Sequence, residues 1–105
     1  MSVASINNRG ELDSKSNYGP KINLASPGID ILCILPNNQY SLKSGTSYAA
    51  PFVSGVVALV LQYKRNISNT EIINEIIFNV KKLDSLKGKI ASEGIINADF
   101  IKELK

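Results

Sequence analysis

The sequence contains no histidine and a single cysteine in 105 residues. A zinc cluster of the usual kind therefore has no ligand set to draw on, and Cys33 has no partner for an internal disulfide. Set in "IDILCIL" (29–35), Cys33 is expected to act as a small buried hydrophobe. The missing histidine also removes the side chain that most often serves as a general base near neutral pH. Charge of one sign is scarce as well, since 12 Lys and Arg against 9 Asp and Glu leave a net +3. The basic residues are scattered, and the dense basic face with interleaved aromatics that nucleic-acid binding needs is lacking. "MSVASINNRG" has neither a basic start nor an apolar run, so no signal peptide is expected there. The longest apolar stretch, residues 49–61, is interrupted by Pro51, Ser54 and Gly55. It falls short of the ~20 residues that cross a bilayer, and no membrane span is expected.

What is present fits one small globular domain, 44% hydrophobic and 20% charged. Residues 2–7 read as the end of a strand, and the polar, Gly- and Pro-punctuated stretch 8–20 as loop. Strands are predicted over 21–26 and 29–35, separated by the Pro27-Gly28 turn. "PNNQ" (36–39) turns the chain back, and residues 40–46 lead extended into Ser47. A helix is predicted over 47–63 with apolar residues all round its axis, the mark of a buried helix. Pro51 is placed near its first turn, where a missing N–H does least harm. "SNTE" (68–71) is a capping box opening a second helix, with Ile72, Ile73, Ile76, Ile77 and Val80 on one face. Residues 82–94 read as loop, 95–97 as a short strand and 98–104 as a short final helix. A fully buried helix beside so few strands is a mismatch, which points to a covering sheet supplied by other sequence.

Ser47 stands where unsatisfied helix N–H groups and the positive end of the helix dipole converge. That position favours developing negative charge, and the serine's own N–H can donate to an oxyanion formed by its attack. Gly45 permits a tight turn and a close approach of substrate. From spacing alone the plainer reading is that Thr46 or Ser47 merely caps a core helix.

The wider pattern, "SGTSYAAPFVSGVVAL" (44–59), resembles the nucleophile segment of the subtilisin-like serine proteases, the subtilases. Gly45, Thr46, Ser47, Ala49, Ala50, Pro51, Val53, Ser54 and Gly55 all match that family's motif. "SNYGPKINLASPG" (16–28), "SNTEIINEIIFNVKKL" (68–83) and "GIINADF" (94–100) are similar to its flanking segments. The resemblance covers essentially the whole chain and implies the C-terminal portion of a subtilase catalytic domain over residues 1–105. The implied fold is α/β, an incomplete three-layer α/β/α sandwich with a mainly parallel sheet. The implied nucleophile is Ser47, presented by Gly45 and Thr46, with the Ser47 N–H as one oxyanion donor. Two positions depart from the pattern: Phe52 stands where many members carry a histidine that is not the base, and Tyr48 directly follows the nucleophile.

The family's triad runs Asp, His, Ser, and this chain holds neither the histidine nor a matching aspartate. The oxyanion asparagine of the family also lies upstream of the matched segments. Asp13 and Asp30 read as turn residues and Lys43 as a solvated strand residue; no serine stands three residues before a lysine. The expectation is a serine endopeptidase by ancestry, inactive as the isolated chain, whose complete form would act on peptide or protein substrates. The alternatives are a non-catalytic binding or decoy domain and one half of a split enzyme, with the N-terminal part of the catalytic domain as a separate partner. Complete relatives are often secreted. Many bind calcium, but the scattered carboxylates here suggest no calcium site, and no cofactor is assigned.

Overall fold

Two strands of small and aliphatic residues lie side by side in parallel: β1 (Val3–Ile6) and β2 (Leu24–Pro27), with Val3 opposite Leu24 and Ser5 opposite Ser26. The computed structural model describes residues 1–104. A short strand, β6 (Gly94–Ile95), adds in parallel to β2, and β5 (Lys81–Lys82) closes that side in antiparallel fashion. The order β1-β2-β6-β5 makes a mainly parallel sheet. Parallel sheets need cover on both faces, and side chains alternate between them. Val3 and Leu24 face a core built with Val53, Val56 and Val60 of helix α1 (Thr46–Tyr63) and Ile72 and Ile76 of helix α2 (Asn69–Phe78). Ala4, Ile6 and Ala25 face the other way, onto Leu86 and Ile90. The architecture is the incomplete α/β layered sandwich expected from the sequence.

A separate antiparallel ribbon, β3 (Ile31–Leu35) with β4 (Gln39–Lys43), carries the chain from the sheet to α1. Its reversal uses Asn37 and Asn38 at φ of 64° and 58°, a left-handed conformation that asparagine tolerates better than most residues. Leu32, Ile34, Tyr40 and Leu42 share one face of the ribbon and are exposed. Cys33, on the other face, is half-buried and directs its thiol to the Ile31 carbonyl, so it is less enclosed than its apolar setting suggests.

Several elements differ from expectation. Helix α1 is buried along one stripe only, Ala49, Val53, Val56 and Val60, while Phe52, Leu59, Leu61 and Tyr63 are exposed. The four-strand sheet is too narrow to cover more than that stripe. At 18 residues and a mean hydropathy of 1.2, α1 is long and apolar enough to cross a bilayer by length and composition alone; its valine stripe instead packs on β1 and β2. Pro51 is the sixth helical residue. Its missing N–H therefore leaves the Ser47 carbonyl without the usual partner one turn on. Helix α2 starts on the expected capping box: Ser68 Oγ accepts from the Glu71 N–H at 3.2 Å, and Glu71 Oε2 accepts from the Ser68 N–H at 2.9 Å. It ends before Val80 because the Asn79 side-chain amide bonds the Glu75 carbonyl at 2.8 Å and the chain turns into β5. Within 82–94, read as loop, Lys82 joins β5 and residues Asp84–Leu86 form a 3-10 turn that buries Leu86. The final helix is of the 3-10 kind, Asp99–Leu104, and buries Ile101 against the core.

Candidate active site

Gly45 precedes α1 with φ 141° and ψ 166°, a backbone region essentially closed to residues with a Cβ. From there its carbonyl accepts from the N–H groups of Tyr48 at 3.0 Å and Ala49 at 3.2 Å, and so starts the helix. No side chain caps this end. Neither Thr46 nor Ser47 therefore acts as the cap that spacing alone favoured. Thr46 and Ser47 are the first two helical residues, and their N–H groups have no acceptor among the described residues. The Ser47 side chain is exposed and engages in no hydrogen bond there. An exposed hydroxyl thus stands at a helix end whose N–H donors point outward, a place suited to stabilising negative charge.

This turn is tied to the sheet through Gly28. The Gly28 N–H donates to the Ile6 carbonyl at 3.1 Å, and the Gly28 carbonyl accepts from the Gly45 N–H at 2.7 Å. Gly28 must stay small because a Cβ there would lie 2.2 Å from Ser5 Oγ, 2.8 Å from the Gly45 carbonyl oxygen and 3.0 Å from Ala49 Cβ. Nearby, the Asp30 N–H donates to Ser44 Oγ at 3.0 Å, fixing the foot of the β3–β4 ribbon. Ser5 and Ser26, register partners on β1 and β2, are fully buried with hydroxyls that have no partner among the described residues. The sequence reading passed over Gly28 and Ser5 as active-site supports. The signals for Gly28 are the Pro-Gly pair after a predicted strand and its place at the end of the matched segment 16–28.

An apolar cleft of about 500 Å³ lies between the ribbon and the outer side of α1, lined by Ile31, Cys33, Tyr48, Phe52 and Leu59 among others. Tyr48 brings this cleft to the residue next to Ser47. No group of three Cys, Asp or Glu residues among those described could hold a metal ion. Asp13 is a turn residue, its Oδ1 accepting from the Lys15 N–H at 3.3 Å, and Asp30 adopts φ 53° in a bend. Lys43 is exposed at the end of β4.

The sequence model of the subtilase family matches residues 1–94. The chain belongs to the subtilase family. It is 37% identical over 101 residues to the major intracellular serine protease of Bacillus subtilis (strain 168), a match covering 91% of this chain and 31% of that protein. It is 32% identical over 110 aligned positions to the extracellular basic protease of Dichelobacter nodosus, covering 94% of this chain and 18% of the relative. A chain from a structure of subtilase cytotoxin assembly superposes with a TM-score of 0.84 at 27% identity, over 97% of this chain and 35% of the other. The chain thus spans about a third or less of the length of these relatives. The Bacillus relative is a serine protease by name, and the Dichelobacter relative an extracellular protease. This subtilase is a serine peptidase by ancestry, with the glycine-hinged turn and exposed serine described above at the head of its longest helix.

Proposed function

We propose that this subtilase chain is the nucleophile-bearing part of a serine endopeptidase, and that alone it is catalytically silent. The observation that carries the reading is Ser47 itself: an exposed, unpartnered hydroxyl at the head of α1, beside free N–H groups, on a turn only glycine can make. In the complete enzyme Ser47 Oγ attacks a peptide carbonyl, a histidine takes its proton, and the Ser47 N–H donates to the oxyanion that forms. The acyl-enzyme is then hydrolysed. Gly45 and Thr46 present the nucleophile.

The chain has no histidine, and a serine hydroxyl is scarcely nucleophilic until a neighbouring base takes its proton. In subtilisin, where such losses have been measured, removing the histidine alone costs about 2 × 10⁶ in kcat. Here the aspartate and the oxyanion asparagine are missing with it. The test is labelling with a fluorophosphonate probe together with turnover of a casein substrate. The purified 105-residue chain is expected to show neither above the level of Ser47→Ala. Turnover that disappears in Ser47→Ala would overturn the silent half of the proposal. If a complement carrying the missing triad residues binds and Ser47 still resists labelling, the nucleophile assignment fails.

The competing reading, a binding or decoy domain, draws on the exposed Phe52, Leu59 and Leu61 of α1. An apolar surface of this kind seeks a partner in either case. A stable complex with an unrelated protein, rather than with the missing portion of a subtilase, would favour it.

A further inference from the structure

An antiparallel ribbon with one free face ordinarily turns its polar side chains to solvent and its apolar ones to the body of the protein. The β3–β4 ribbon does the opposite. On its outer face Leu32 lies across from Leu42 and Ile34 across from Tyr40, and these four side chains are 59% to 81% exposed. The inner face, toward the cleft and α1, is the mixed one, with Cys33 across from Ser41 and Leu35 across from Gln39. None of the four outer residues belongs to either core cluster. Residues 31–42 carry no charge at all. Single exposed apolar residues are ordinary on a protein surface, but a contiguous apolar face with a polar rim marks a binding surface. Here the rim is Asn37 and Asn38 at the tip of the ribbon and Asp30 and Lys43 at its foot, all exposed.

We propose that this face is a dimerisation surface, on which two copies of the chain pack their ribbons face to face about a twofold axis. The four apolar side chains of each copy fill the space between ribbons about 10 Å apart. Three observations select a second copy as the occupant. A twofold interface needs a patch that complements itself, and an uncharged apolar face meets its own copy with no like charges opposed. The size is right for a reversible dimer: four large, mostly exposed side chains from each copy bury about 1,000 Å² in total, at the low end for specific pairs. The face is also separate from the rest of the exposed apolar surface. The cleft of about 500 Å³ takes in Ile31 and Cys33 of the inner side, so cover over the exposed side of α1 meets the inner face of the ribbon and not the outer one. The surface therefore stands whether or not Ser47 is a nucleophile. An anionic lipid surface fits less well, because the rim offers one cation, Lys43, against one anion, Asp30.

Sedimentation velocity on the 105-residue chain, from about 5 to 500 µM, reads the oligomeric state. The expected result is a monomer–dimer equilibrium. Ile34→Lys, which sets a charge in the middle of the face, should weaken it by about tenfold or more. Ile34→Val keeps the β-branched apolar shape and should dimerise nearly as the parent does. Phe52→Gln, on the exposed side of α1, should leave the dimer intact. All these side chains are exposed, and circular dichroism establishes that the variants are folded. The chain has no tryptophan, so Tyr40→Trp places one fluorescent reporter in the face and Leu59→Trp places one on α1. Dilution should shift the emission of the first to the red and leave the second unchanged. A monomer at every concentration, association that survives Ile34→Lys, or a concentration-dependent shift in Leu59→Trp instead of Tyr40→Trp would each overturn the surface. Vesicles of phosphatidylcholine and phosphatidylserine supply the last arm. A chain that stays monomeric, with Tyr40→Trp shifting to the blue only when vesicles are added, makes the face a lipid-binding one and sinks the dimer.

Discussion

Substituting Gly28 by alanine tests how the sheet holds the Ser47 turn. The added methyl would lie 2.2 Å from Ser5 Oγ, 2.8 Å from the Gly45 carbonyl oxygen and 3.0 Å from Ala49 Cβ, where ordinary contact begins at about 3.5 Å. The first contact is with a side chain that has no hydrogen bond to lose. The second is with backbone, and with the carbonyl that accepts from Tyr48 and Ala49 to start α1. Overpacking of this kind costs about 1–3 kcal/mol, and a rigid backbone contact puts Gly28→Ala in the upper half of that range. Ser5→Ala should act in the opposite direction. It removes a fully buried, unpartnered hydroxyl whose desolvation costs about 1–3 kcal/mol, so the single variant should be neutral or more stable. Combined with Gly28→Ala, it removes the 2.2 Å contact and leaves the 2.8 Å one. The double variant should therefore recover part of the loss, with a coupling of about 1 kcal/mol. Urea unfolding provides the assay. At a slope of about 1–2 kcal/mol per molar, Gly28→Ala lowers the midpoint by roughly 1–3 M. An unchanged midpoint for Gly28→Ala, or strict additivity of the two substitutions, would refute the reasoning.

Two further outcomes follow from the core and from the α2 cap. Leu24→Ala empties a fully buried position beneath α1 and should cost about 2–5 kcal/mol. Leu32→Ala, on the exposed face of the ribbon at 67% exposure, should change stability by no more than about 0.5 kcal/mol; equal effects would misplace the core. Hydrogen bonds from the Ser68 side chain and then its backbone N–H hold the Glu71 carboxyl below its ordinary value of 4.5. A lowered folded-state value means that the cap's contribution is complete above pH 4.5 and is lost as pH falls through the lower folded value. Carbon-detected titration of Glu71 should give a midpoint below 4.5, moving back toward it in Ser68→Ala; a midpoint at or above 4.5 in the parent chain would contradict the capping geometry.

The parts of the molecule legible in its sequence are those fixed by local chemistry. "SNTE" specified the α2 cap through two hydrogen bonds spanning three residues, and both are present. The Gly-Thr-Ser turn was readable because a glycine before an apolar helix carries its own conformational signature, and Gly45 indeed takes a conformation reserved for glycine. Long-range relations were not readable. Gly28 looked like half of a turn, yet its size is dictated by Ser5, twenty-odd positions earlier, and by Gly45, well downstream. The 3-10 turn that buries Leu86 was taken for loop because three residues carry no periodicity to detect.

The misjudged burial of α1 has the most consequence. An apolar residue in sequence records what a position is selected to touch, and the fold of one chain records only what that chain can supply. Both faces of α1 are apolar, but the sheet here reaches only the stripe through Val53, Val56 and Val60. The sequence was therefore a better guide to the larger assembly than to the isolated chain. The remainder, Phe52 and Leu59 on α1, marks surface with no cover among the described residues. Ser47 sits at the head of the same helix with its hydroxyl exposed.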